Sequence, residues 1–149
     1  MKIYLDTCCY SRLRDDQSIL EIRNETLSIR RILDLIDEGR LDLVTSEILE
    51  YEISMNPNEV SRITFMELLQ MSNERVEVDR EVFALAETVR SIGIDFSDAL
   101  HLVCAAKSDC FLFITVDKGI LKSAREISKV LRIGVMNPIM CLSEVGEEP

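Results

Sequence analysis

Phe111-Leu112-Phe113-Ile114 is an unbroken apolar run of strand length, closed by Thr115-Val116-Asp117. A strand without polar alternation predicts burial on both faces, and so a sheet covered by helices on either side. The rest of the chain agrees. Short segments of strand formers, Lys2–Leu5, Leu41–Thr45, Val76–Val78 and Ile133–Met136, alternate with stretches of helical spacing. The longest stretch, Ser18 to Glu38, carries Ile22, Ile29, Ile32, Leu33 and Ile36, and Gly39 stops it. Ser46 is a good N-cap for a helix through Leu49 and Ile53, another helix runs from Pro57 to Met71, and Asp79 caps one ending near Gly93. Asp95-Phe96-Ser97-Asp98 has the form of a capping box ahead of Ala99, Leu102, Val103 and Ala106. After Asp117 one helix is expected through Leu121 and Ile127, and Asn137-Pro138 opens a short last one. The class is α/β, with a parallel sheet between helical layers.

Its 149 residues suffice for one domain and not for two. We expect that domain over residues 1–143, followed by a frayed acidic tail over 144–149. With 17 Lys and Arg against 27 Asp and Glu, the net charge of −10 argues against binding nucleic acid by overall basicity. It leaves open a nucleic-acid enzyme whose acids hold cations. The 5 cysteines are odd in number and form no C-x-x-C pair, and no secretory leader is visible. The expectation is a reducing, cytoplasmic setting. No apolar run approaches the roughly 20 residues of a membrane span.

Parallel sheets bind ligands beyond the carboxyl ends of their strands, which makes the residue after each strand the place to look. Asp6 follows the first strand and Asp117 follows the apolar one, while Ser46 opens the helix that carries Glu52. Asp98 falls in the first turn of its helix, where the dipole favours a carboxylate. Each alone reads equally well as a cap or a solvated acid. Together, these four would meet at one sheet edge and repel one another unless protons or cations intervene. Oxygen-only ligands suit Mg²⁺ or Mn²⁺, and such ions support phosphodiester hydrolysis.

Tyr4-Leu5-Asp6-Thr7, Ser46-Glu47-Ile48-Leu49-Glu50-Tyr51-Glu52, Asp98-Ala99-Leu100-His101 and Thr115-Val116-Asp117, in that order, resemble the motifs of the PIN-domain nucleases, most closely the VapC-type toxins of toxin–antitoxin pairs. The resemblance runs from Met1 to about Leu142. It implies a three-layer α/β/α PIN-like fold with a central parallel sheet of four to five strands. It also implies an RNA-cutting quartet of Asp6, Glu52, Asp98 and Asp117 that holds Mg²⁺ or Mn²⁺. Thr7, Ser46 and Thr115 match small polar positions around that quartet. Glu47 and Glu50 rival Glu52, which is preferred because six residues after Ser46 fits the family pattern; Asp95 rivals Asp98 in the same way. Where many relatives have Thr-Asn after the first acid, this chain has Thr7-Cys8-Cys9, a departure that bears on substrate choice. The resemblance further implies a homodimer and an antitoxin partner held partly by the segment from Arg14 to Arg31.

His101, the only histidine, is three residues past Asp98 and reads as a supporting or packing residue, since one histidine makes no relay. Cys8 to Arg14 matches C-x5-R, but the loop has no glycine to wrap a phosphate, and Cys8 stands where a dehalogenase-like site would need a second Asp. Lys118, Lys122, Arg125 and Lys129 would line one helix face as a grip on RNA phosphates, with Arg12, Arg23, Arg30 and Arg31 as further candidates. The rival from another class, a non-catalytic module of the same fold, would show loss of one of the four acids, and none is lost.

Overall fold

The computed structural model describes residues 1–147. Its strands are β1 (Lys2–Leu5), β2 (Asp42–Ser46), β3 (Glu74–Val76), β4 (Leu112–Ile114) and β5 (Gly134–Met136). All pair in parallel, in the order β3-β2-β1-β4-β5, with Tyr4 in register with Val44 on one side and Phe113 on the other. Successive strand residues point to opposite faces, yet Ile3, Tyr4, Leu5, Leu112, Phe113 and Ile114 are all buried. Both faces of the sheet are therefore covered. The covering helices are α1 (Thr7–Arg12), α2 (Leu20–Asp37), α3 (Glu47–Ser54), α4 (Glu59–Leu69), α5 (Arg80–Arg90), α6 (Phe96–Lys107), α7 (Lys118–Lys122), α8 (Ala124–Leu131) and α9 (Pro138–Glu144). No helix among the described residues is long and apolar enough to cross a membrane.

From β1 the chain steps outward to β2 and β3, then returns to lay β4 on the other side of β1. The order reverses between β1 and β4, which opens a crevice at their carboxyl ends. Asp6 sits there by construction, its amide donating to Ile114 O at 2.9 Å.

Local chemistry explains most of the boundaries. Gly39, at φ +74°, ends α2: its amide donates to Ile36 O at 3.0 Å and the Arg40 amide to Leu35 O at 2.9 Å. The short α1, absent from the sequence expectation, starts because the Asp6 carboxylate accepts from the Thr7 amide. β3 begins two residues earlier than expected. Asn73 pairs with Leu43 through both its amide and its side chain, whereas the Val78 amide has left the ladder for the Glu47 carboxylate. Phe111 precedes β4 and is 49% exposed, so the doubly buried run is one residue shorter than the sequence suggests. The helix expected after Asp117 is two, broken at Ser123 with φ −96° and ψ 8°. The acidic stretch from Glu144 begins inside α9, and the Glu147 carboxylate pairs with Arg31 at 3.1 Å and with Arg40. Residues 148 and 149 of the expected tail lie outside the described residues.

Candidate active site

Three acids meet at the crevice. Asp6 is 5% exposed. Its Oδ1 accepts from the Thr7 amide at 2.8 Å and its Oδ2 from Thr115 Oγ1 at 2.8 Å. Asp117, just past β4, caps α7 by accepting from the Ile120 amide at 3.0 Å, and its own amide donates to Thr115 Oγ1 at 3.0 Å. Asp98 comes from α6. The expected capping box is not made, because the Asp95 side chain accepts no cap hydrogen bond. Asp95, Asp98 and Asp117 instead line one small cleft of ≈ 150 Å³, with Gly93, Ile94 and Gly119. Burial pushes the Asp98 carboxyl up to about 6, and the charges of Asp6 and Asp117 push it the same way. These acids feel one another's charge.

α3 offers three glutamates, and the helix turns only one inward. Glu47 accepts from the Val78 amide at 3.1 Å and Glu50 from Arg75 Nε at 2.7 Å, both on the outer side. Glu52 Oε1 accepts from Thr7 Oγ1 at 2.6 Å and lies 2.6 Å from His101 Nε2. Burial opposes its ionisation, but the hydrogen bonds from His101 and Thr7 favour the charged form and its pKa is held below the ordinary value. Thr7 is thus the link between Asp6, its chain neighbour, and Glu52.

Of the small polar residues, Thr7 and Thr115 touch the acids directly and Ser46 does not. Ser46 Oγ caps α3 through the Leu49 amide at 3.1 Å and lies 2.6 Å from Tyr4 Oη. Tyr4 is the residue that sequence reasoning missed. Read only as a strand former, it places its buried hydroxyl 2.6 Å from His101 Nδ1, with its ring stacked 5.4 Å from Phe113. The signal was there: residues two apart share a strand face, so a tyrosine two before Asp6 points to the same side. Cys8 was also underrated. Its Sγ lies 3.4 Å from Asp6 Oδ2 and 3.3 Å from Thr115 Oγ1.

The basic candidates separate. Arg12 is engaged by Glu25 and Asp15, each at 3.0 Å, and so stabilises the α1–α2 junction rather than standing free for a phosphate. Lys118 Nζ is 3.6 Å from Glu21. Lys122, Arg125 and Lys129 remain together, lining a shallow surface cleft with Glu126 despite the break at Ser123.

Among the described residues, no three Asp, Glu, His or Cys side chains form a ready-made metal cage. The donor set nonetheless fits a hard divalent cation, since Mg²⁺ keeps several waters and takes only one or two protein carboxylates. Burial is the larger cause of the raised Asp98 pKa, and the charges of Asp6 and Asp117 that add to it are the field such a cation would neutralise.

The fold is similar to that of a chain in the crystal structure of VapBC2 from Rickettsia felis bound to a DNA fragment from their promoter. The TM-score is 0.59 at 14% identity, over 92% of this chain and 98% of that one. No curated protein matches the chain by sequence. The family model of the PIN domain matches residues 3–126, a span that includes Asp6, Glu52, Asp98 and Asp117. With most of its length matched and its acids gathered at the switch point of the sheet, the chain belongs to the PIN domain family.

Proposed function

We propose that this protein is a divalent-metal-dependent endoribonuclease and the toxin of a toxin–antitoxin pair. The observation that carries the reading is that Asp98 and Asp117 line one cleft and the charge of Asp6 acts on Asp98 there, with Glu52 tied to Thr7, the chain neighbour of Asp6. Asp6, Glu52, Asp98 and Asp117 would hold Mg²⁺ or Mn²⁺. The chemistry such an ion supplies when bound is Lewis-acid stabilisation of a phosphodiester's developing charge and activation of water. The chain's own residues do the positioning. Thr115 fixes Asp6 Oδ2 and the Asp117 backbone, while Thr7 and His101 fix Glu52. Lys122 and Arg125 would orient the RNA backbone by phosphate contacts that carry no sequence information.

The fold's likeness to VapBC2 supports an antitoxin partner. So does the surface: Leu20 and Leu27 of α2, Tyr51 of α3 and Met55 just past it, and Val60 and Ile63 of α4 are large apolar side chains left exposed. Scattered residues of this kind need no explanation, but this many on three helices suits protein contacts, a homodimer included. The test is cleavage of a mixed pool of small structured RNAs with Mg²⁺, Mn²⁺ or EDTA, wild type beside Asp98→Asn. Metal-dependent cutting lost in the variant is expected. Cutting that survives both EDTA and the substitution would overturn the proposal.

A further inference from the structure

His101, the only histidine of the chain, is 1% exposed, and both its ring nitrogens are engaged. Nε2 lies 2.6 Å from Glu52 Oε1, and Nδ1 lies 2.6 Å from Tyr4 Oη. An ionised carboxylate can only accept, so Nε2 carries a hydrogen. The other side of the ring is settled by following the hydroxyls. The Leu49 amide donates to Ser46 Oγ at 3.1 Å, and Ser46 Oγ is 2.6 Å from Tyr4 Oη. Burial keeps Tyr4 a phenol with a single hydrogen to give. If Ser46 donates to Tyr4 and Tyr4 to Nδ1, every hydrogen in the row has an oxygen or nitrogen to receive it. The reverse order puts two donors on Ser46 Oγ and leaves its own hydrogen with no acceptor among the described residues.

We infer that Tyr4 sets the tautomer of His101, with Nδ1 accepting and Nε2–H donating, and thereby acts as the positioning residue for Glu52. The inference rests on the reading of Glu52 as one of the four site acids. Its consequence is geometric. Nε2–H and the Thr7 hydroxyl both arrive at Oε1, which holds the carboxylate by one oxygen and leaves Oε2 for a cation. Carboxylates that ligate metals are themselves held by hydrogen bonds from outside the coordination shell, and His101 supplies such a bond to Glu52. Here the support is an aromatic hydroxyl on the central strand, locked by stacking on Phe113.

Because the chain has one histidine, a long-range ¹H–¹⁵N spectrum of the full-length, ¹⁵N-labelled protein reports this ring without assignment. The expected spectrum, near neutral pH and without added metal, is a single neutral Nε2–H form. Tyr4→Phe keeps the stacked ring and removes only the hydroxyl. It should give a mixture that includes Nδ1–H, and RNA cleavage at saturating substrate should fall roughly ten- to a hundred-fold. Ser46→Ala keeps the donor to Nδ1 and should keep the Nε2–H form. A wild-type ring that is Nδ1–H or doubly protonated would overturn the inference. So would a Tyr4→Phe protein that still shows only Nε2–H, or a Ser46→Ala protein that switches to Nδ1–H. Should wild type cut no RNA, the nuclease reading fails while the tautomer result stands, so the two failures are distinguishable.

Discussion

Thr115 donates its hydroxyl to Asp6 Oδ2 at 2.8 Å and so ties the acid at the end of β1 to the end of the neighbouring strand. The same oxygen accepts from the Asp117 amide at 3.0 Å, which makes one buried threonine responsible for two acids. Thr115→Val keeps the shape and strands both partners. We expect it to cost roughly 1–3 kcal/mol in denaturant unfolding, the penalty of buried groups left unpaired. Cleavage should drop about ten- to a hundred-fold as Asp6 loses its fixed position. Thr115→Ser should recover most of both. A valine variant with wild-type cleavage would show that Thr115 does not position Asp6.

Asp98 predicts a trade between stability and activity. Its carboxyl is pushed up to about 6 in the fold by burial and by Asp6 and Asp117, against an ordinary 3.8. The folded state therefore binds this proton more readily than the unfolded state does. The associated stability is fully present below the ordinary carboxyl value and is lost as pH rises through about 6. Asp98→Asn mimics the protonated form. Near neutral pH the metal-free variant should be more stable than wild type by about 1 kcal/mol, a figure discounted for the side chain's half exposure. That is roughly 2–4 °C in melting temperature for a chain of this size. The gap should close on acidification, and added Mn²⁺ should raise the melting point of wild type more than that of the variant. Equal melting points at neutral pH would mean that the fold does not hold the Asp98 carboxyl above its ordinary value.

The fold could be read from the sequence because its strands are short, apolar and separated by capped helices, features that act locally. The Asp79, Ser46 and Asn137 caps and the Gly39 stop need only neighbours in the chain. Long-range pairing was less legible. β3 slid upstream because Asn73 found Leu43, thirty residues back, and no local propensity records that. The positions of Asp6 and Asp117 follow from topology, Asp6 directly after β1 and Asp117 three residues past the end of β4. Glu52 and Asp98 depend on which way a helix is rotated, which is why Glu47, Glu50 and Asp95 stayed in contention. The surroundings of Arg12 were illegible for the same reason: Asp15 is a local partner three residues on, but Glu25 reaches it only when α1 packs on α2.

Glutamate substitutions on α3 separate those rivals directly. Glu50 forms an exposed pair with Arg75, so Glu50→Gln should stay within about 0.5 kcal/mol of wild type and cleave normally. Glu52→Gln removes the charge that Thr7 and His101 hold and should lower cleavage by about a hundredfold or more. Side-by-side turnover measurements decide it. A larger loss from Glu50→Gln would reassign the second acid.

Gly119 lies beside Asp117 in the first turn of α7. A Cβ there would sit 3.1 Å from Asp117 Oδ1, closer than ordinary contact. Alanine also favours the helix by up to about 1 kcal/mol over glycine, so crowding and propensity oppose each other in stability. They do not oppose each other in catalysis. Gly119→Ala should melt within a few degrees of wild type, yet cut roughly tenfold slower because the carboxylate is displaced. Titration calorimetry with Mn²⁺ should show a matching loss of affinity, and unchanged affinity would place Asp117 outside the cation's reach.

The cysteines offer a probe of the site that needs no substrate. Burial pushes the Cys104, Cys110 and Cys141 thiols up to about 12, and it raises Cys9 well above its ordinary value. At neutral pH these four carry almost no thiolate and have little access to solvent. Cys8 is only half-buried, with its sulfur 3.4 Å from Asp6 Oδ2. A thiol-reactive disulfide reagent should therefore label one cysteine quickly in the folded protein and all 5 after unfolding. Peptide mass mapping should place the fast label on Cys8. A cation held by Asp6 would crowd and tie down the same corner, so Mn²⁺ should slow the fast phase, whereas Asp6→Asn should abolish that protection. Fast labelling of Cys8 that is indifferent to Mn²⁺ would put the cation elsewhere than at Asp6.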